Sequence, residues 1–242
     1  MADRAHSEFN VGGRHPVMFG VRMYEMNIST FSNLISYLPV SKQAFWSKRD
    51  TWEKSLKTTK LPDELENIFG DEERVFISRD DIFNVTSNNA PNIERALFMT
   101  ILWGYPAGLR SDYLPALLQY KDYLIRLLEI GYEEGGIENW DSHFSIVKKI
   151  RGVGLSLYSK LLYFLKTKIE QHDPLILDLR IIDVLKNEVF EDFKKLSNIR
   201  YHNAPRKYIR YLEVMQSVSE KVKVKADNLE MFLFLFGGNL KH

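Results

Sequence analysis

Residues 150–169 read IRGVGLSLYSKLLYFLKTKI, with the turn Arg151-Gly152-Val153-Gly154 set between two stretches that have the apolar spacing of helices. Glycine has no β-carbon, so the chain can reverse there and the backbone stays open to close approach. The amides that begin the second helix, from about Leu155, have no partner inside that helix, and the helix dipole leaves them partly positive. Such a turn suits an anion, a phosphate above all. An αα-corner with a glycine stop is the plain alternative.

Outward from this turn the periodicity is helical almost everywhere. Apolar residues recur at three- and four-residue spacing in PDELENIF (62–69), RDDIFNV (79–85), NIERALFMTILWGY (92–105), DYLPALLQYKDYLIRLLEI (112–130), NWDSHFSIVKKI (139–150), SLYSKLLYFLKTKI (156–169), LRIIDVLKNEVF (179–190), PRKYIRYLEVMQSVSEKV (205–222) and DNLEMFLFLF (227–236). Ser41 precedes KQAFWSKRDTWEKSL, where Phe45, Trp46, Trp52 and Leu56 share a broad apolar face, so Ser41 reads as an N-cap. The nearest candidate for a strand is ERVFIS (73–78). No internal repeat, low-complexity tract or long linker interrupts the pattern. The expectation is an all-α fold, a single helical domain over residues 1–242 with a cleft between two helical lobes.

A chain of 242 residues that is 45% apolar and 13% aromatic has ample material for a core. It contains no cysteine, which excludes disulfides, thiolate zinc sites and cysteine-bound iron–sulfur clusters and fits a reducing cytoplasm. MADRAHSEFNVGGRHP (1–16) lacks the apolar run of a signal peptide. MFLFLF (231–236) is far shorter than the roughly 20 residues needed to cross a bilayer, so a soluble protein with a buried last helix is expected. A net charge of +1 argues against an indiscriminate polyanion binder, but the charge is uneven. Residues 62–81 hold eight acids against two arginines, while residues 194–225 hold nine lysines and arginines, Arg206, Lys207 and Arg210 among them, against two glutamates. The second stretch suits a polyanion; a solvated helix face is the plain alternative.

Ile-x-Gly-Val-Gly between two amphipathic helices is the helix-hairpin-helix pattern, which grips a DNA phosphate without reading sequence. SHFSIVKKIRGVGLSLYSKLLYFL followed by DPLILDLRIIDVL resembles the hairpin and catalytic segment of the helix-hairpin-helix DNA glycosylase superfamily, and most of all its 8-oxoguanine DNA glycosylase branch. The resemblance covers residues 139–190; elsewhere it extends only to helical character. It implies that Asp178, in LILDLR, is the catalytic carboxylate. It also implies that the amides of Gly152, Gly154 and Ser156 hold phosphate, helped by a monovalent cation, K or Na, on the backbone carbonyls of Lys148, Ile150 and Val153. TSNNAPNIERAL (86–97) is similar to the asparagine-rich turn with which the branch fills the gap left by an extruded base, a role that falls on Asn88 and Asn89, though asparagines are also ordinary turn and cap residues. Trp103 and Tyr105, in the WGYPAG turn, and Tyr201 and His202, ahead of the basic helix, are candidates for the pocket of a flipped base. For the two WGYPAG aromatics core packing is the alternative, and for His202 a structural role.

One position departs from the pattern. Members of the branch that also cut the strand carry a lysine two places after the second glycine; Ser156 stands there, and a hydroxyl forms no Schiff base. A monofunctional glycosylase that uses water is expected, with Lys160, one turn further on, able to take the role only in a rearranged site. Breaking an N-glycosidic bond builds positive charge on the deoxyribose, which a buried carboxylate stabilises while it orients or deprotonates a water. The resemblance thus implies an enzyme that flips a modified base out of double-stranded DNA and leaves an abasic site, acting as a monomer without divalent metal, small-molecule cofactor or membrane. Oxidised guanine and hypermodified phage bases such as glucosylated hydroxymethylcytosine stand equally open as substrates, and with them repair and anti-phage defence. The other class of function is a non-catalytic helix-hairpin-helix module that tethers DNA in a repair or defence complex. The two part at Asp178, since a tether needs only the hairpin.

Overall fold

The computed structural model describes residues 26–57, 60–87, 90–110 and 112–240. After α1 (Ser32–Ser36) comes a two-stranded antiparallel sheet, β1 (Ala44–Lys48) and β2 (Arg74–Ser78), whose strands enclose α2 (Arg49–Leu56) and α3 (Asp63–Phe69). The chain continues through α4 (Arg79–Thr86), α5 (Ile93–Gly104), α6 (Tyr113–Gln119), α7 (Lys121–Glu133), α8 (Trp140–Val147), α9 (Leu155–Leu165), α10 (Leu179–Lys186), α11 (Tyr208–Val222) and α12 (Ala226–Leu235). Apart from that small sheet the regular structure described is helical, as expected.

Two helices form the centre. Every residue of α5 from Ala96 to Trp103 and every residue of α9 from Leu157 to Leu165 is buried, the mark of a helix surrounded by others rather than of one lying on a surface. The last helix contributes Met231, Phe232 and Leu233 to the same core. No helix among the described residues is long and apolar enough to cross a membrane.

Three sequence expectations are corrected. The segment from Lys42 to Lys48 is not helical: Ser41 lies in a 3-10 turn, Val40–Lys42, and the helix starts only at Arg49. Between them the chain alternates. Phe45 packs against Trp103 with ring centroids 5.6 Å apart, and fully buried Ser47 accepts a hydrogen bond from the Trp52 indole at 2.8 Å. Trp46 and Lys48 point the other way, and Trp46 stacks at 4.9 Å on Phe76, its cross-strand partner. Phe45 and Trp46 can share a helical face with Trp52, but cross-strand pairing with β2 placed these two in a strand, while Trp52 lies in α2. Second, the stretch 112–130 breaks at Tyr120 into α6 and α7. Third, the helix before the glycine turn ends at Val147 rather than Ile150.

Candidate active site

The hairpin consists of α8, the turn and α9. Asn139 Oδ1 caps α8 by accepting the Ser142 amide at 2.9 Å, and His143 Nε2 meets the Tyr158 hydroxyl at 2.5 Å, which ties the two helices together. Burial lowers the pKa of His143 and keeps its ring neutral near pH 7. Gly154 is the N-cap of α9, and no side chain closes the first turn, so the amides there are open to an outside acceptor. The two glycines serve different ends. Gly152 has φ +90°, and a β-carbon on it would stand 2.6 Å from the Tyr113 carbonyl oxygen, so its bare side faces the protein's own α6. Gly154 has ordinary extended backbone, and a β-carbon there would meet only the hydroxyl of exposed Tyr201, at 3.3 Å. Arg151 of the turn is paired with Asp112. Of the three carbonyls expected to hold a cation, that of Ile150 already accepts the Val153 amide at 3.1 Å.

Beyond α9 the chain runs extended through buried Leu175, Ile176 and Leu177 and is strapped in place by three side chains. The Tyr208 hydroxyl donates to the Leu175 carbonyl at 2.6 Å and the Tyr211 hydroxyl to that of Ile176 at 2.8 Å. From the other side Ser159 Oγ accepts the Leu177 amide at 3.1 Å. The strap delivers Asp178 to the start of α10, where its Oδ1 accepts the amides of Arg180 at 3.0 Å and Ile181 at 3.2 Å. The cap uses one carboxylate oxygen; the other has no hydrogen-bond partner among the described residues, and the residue borders a cleft of about 140 Å³.

Gln43, Phe45, Trp103, Lys160 and Phe234 line this cleft together with Asp178. Trp103 is both pocket and core: it is buried, packs on Phe164 with ring centroids 5.4 Å apart, and donates its indole N–H to the Gln43 carbonyl at 3.1 Å. Lys160 lines the cleft, and its Nζ donates to Ser156 Oγ at 2.8 Å and to the Ser156 carbonyl at 3.1 Å. The lysine therefore reaches back one turn to the serine two places after Gly154. Burial lowers its pKa, opposed by the nearby charges of Asp178 and Glu230. Tyr105 supports the pair: its hydroxyl lies 3.3 Å from Ser156 Oγ, and Lys160 Nζ sits 5.3 Å from the centre of its ring. Gly104 leaves the space, since a β-carbon there would meet Lys160 Cδ at 3.0 Å.

Other candidates fall elsewhere. His202 is exposed in a turn and, like Tyr105, is not among the residues that line the cleft. Asn88 and Asn89 lie outside the described residues. The basic segment lies against the hairpin, because the Trp140 indole of α8 donates to the Pro205 carbonyl at 2.7 Å. Within it Arg210 pairs with Glu213 at 2.7 Å, Lys207 bonds Asn198, and exposed Arg206 has no ion-pair partner among the described residues. Arg206→Ala is accordingly expected to flatten the slope of log DNA affinity against log salt by about one unit, the contribution of one neutralised phosphate. Arg210→Ala should change it less; equal slopes for parent and both variants would make the cluster a solvated face. Three of the eight acids of the acidic stretch are paired within the fold, Glu64 with Arg95 at 2.8 Å, Glu66 with Arg49 at 2.6 Å and Asp80 with Lys42 at 2.6 Å.

Sequence reading did not find Gln43, Phe45, Arg79 or Glu230. The first two were hidden by the helical reading of 42–56, although the alternation of β1 was present; the other two come together only across the fold.

An all-α fold, a glycine hairpin that opens α9, and an aspartate delivered to the next helix by a short extended strap define the helix-hairpin-helix glycosylase class. Residues 38–234 match the family described as "Putative 8-oxoguanine DNA glycosylase OGG-like protein", and the chain belongs to that family. No curated protein matches the chain at a significant level, and neither does any solved structure.

Proposed function

We propose that the protein is a DNA glycosylase that flips a modified base out of double-stranded DNA and hydrolyses its N-glycosidic bond to leave an abasic site. The observation that carries this reading is the position of α9. Its uncapped first turn offers amides for a backbone phosphate, and its next turn lines the cleft that Asp178 borders with a free carboxylate oxygen. That oxygen would orient a water and stabilise the positive charge that grows on the sugar. Gly152, Gly154 and Ser156 would hold phosphate by their amides, with Arg206, Lys207 and Arg210 along the flanking backbone. A neutral all-carbonyl donor set, Lys148, Ile150 and Val153, suits a hard monovalent cation, and the Ile150 oxygen keeps a second lone pair for it. Such a cation would add positive charge beside the phosphate. Phe45 and Trp103 would flank the base.

Ser156 favours water over an amine as the attacking group. A second reading has one specific observation behind it, the amine of Lys160 at the Ser156 hydroxyl. A buried amine of lowered pKa attacks a sugar carbon more readily than an exposed one.

The test is incubation with duplexes that each carry one modified base, with borohydride present, followed by alkali. Abasic sites that break only under alkali, with no trapped protein–DNA adduct, are the expected result. An adduct that Lys160→Met abolishes would establish the second reading, and no base release from any duplex would leave only the DNA tether.

A further inference from the structure

Gln43 lies at the buried end of the cleft, held so that half of its side-chain amide is committed. Its backbone carbonyl accepts the Arg79 amide at 3.0 Å and the Trp103 indole at 3.1 Å, which fixes the residue in place. Its Oε1 accepts Arg79 Nε at 2.8 Å, and Arg79 in turn donates to both carboxylate oxygens of Glu230, each at 3.2 Å. Arginine carries donors only, so the oxygen of the Gln43 amide must face Arg79 and its nitrogen must face away. That nitrogen is buried, has no hydrogen-bond partner among the described residues, and belongs to a residue that is 7% exposed and lines the cleft. A buried donor without a partner is destabilising and rare in folded proteins. Because Gln43 lines the cleft, a molecule bound there is the partner considered for this nitrogen.

We propose that Gln43 Nε2 reads the extruded base by donating to an oxo oxygen, so that the site selects a base with an oxo group on the edge that enters first over one with an amino group there. This deepens, and rests on, the glycosylase reading of the cleft. Arg79 and Glu230 are positioning residues: they hold the amide in the one orientation that presents the NH2 group and exclude the flipped orientation that would present an acceptor. An amino group on the entering edge would set donor against donor, and buried polar groups left unpaired are what make such sites discriminate.

Two measurements test this. The first is single-turnover base release from duplexes that form oxo and amino pairs: 8-oxoguanine and 8-aminoguanine, hypoxanthine and adenine, uracil and cytosine. The second is binding of the matching free 2′-deoxynucleosides, followed by tryptophan fluorescence, which requires no chemistry. The parent protein should favour the oxo member of at least one pair by about tenfold or more. Gln43→Glu keeps an oxygen for Arg79 Nε and turns the free donor into an acceptor, so the ratio should invert or collapse. Gln43→Met should flatten the ratio without inverting it, and thermal melts identify which variants fold. If neither variant folds, the ratio in the parent decides. No oxo preference in the parent, or a preference that survives Gln43→Glu, overturns the proposal. Asp178-dependent base release that is indifferent to Gln43 would remove the inference and leave the glycosylase reading standing. Gln43-dependent oxo preference among nucleosides, with no base released from any duplex, would do the reverse.

Discussion

Asp178→Asn should lower base release by about 10²- to 10⁴-fold, the usual contribution of a positioned acid–base group, while DNA affinity and melting temperature stay near those of the parent. The expectation follows from the two oxygens of the carboxylate. Oδ1 is occupied by the amides of Arg180 and Ile181, and asparagine keeps an oxygen for both, since it caps a helix about as well as aspartate does. The substitution therefore leaves the start of α10 intact and removes only the charge that faces the cleft. Asp173→Asn is the control: Asp173 is exposed, precedes Pro174 and does not line the cleft, so its loss should do little. Single-turnover rates on the best substrate duplex, with melting curves for all three proteins, separate the outcomes. Full activity in Asp178→Asn would make the residue a cap and nothing more, and the protein a tether.

Glu230→Ala should be the most destabilising of the substitutions named. Arg79 and Glu230 are each 1% exposed, and the guanidinium lies among the rings of Trp103 and Tyr163, at 5.3 and 5.1 Å. Removing the carboxylate strands a positive charge where water cannot reach it, which costs about 3–5 kcal/mol. At about 2–4 °C per kcal/mol for a chain of this size, melting should fall by roughly 6–20 °C. Glu66→Ala breaks the partly exposed pair with Arg49 and should cost much less. Replacing both members of the buried pair, as Arg79→Met with Glu230→Leu, should recover much of the loss, because it removes the stranded charge as well as the bond. A small effect of Glu230→Ala, comparable to that of Glu66→Ala, would mean that water reaches Arg79 and would weaken the case for a fixed Gln43 amide.

The hairpin, most of the helices and Asp178 were legible in the sequence because each is written within a few residues. Gly152, Gly154 and the apolar spacing on either side mark a reversal between two helices, and LILDLR places an aspartate at a helix start whatever the rest of the chain does. Local reading went wrong where two periods fit the same residues. Phe45 and Trp46 serve a helical face shared with Trp52 or a strand, and β1 formed because β2, some thirty residues downstream in ERVFIS, offered Phe76 and Ile77 as partners. The two glycines looked equivalent in sequence, yet only the packing of α6 shows that Gly152 is required by the Tyr113 carbonyl. Lys160 looked misplaced by one turn until the bend of its side chain brought the amine to Ser156. The interior of the cleft was the least legible part. Gln43 and Arg79 are 36 positions apart and Arg79 and Glu230 are 151 apart; no spacing rule joins them. The sequence by itself determined the helical class, the glycine turn and the aspartate at a helix start, since propensity, capping and glycine geometry act over a turn or two of chain. Only the tertiary structure decided which donors and charges share one cleft, because that depends on which distant segments pack together.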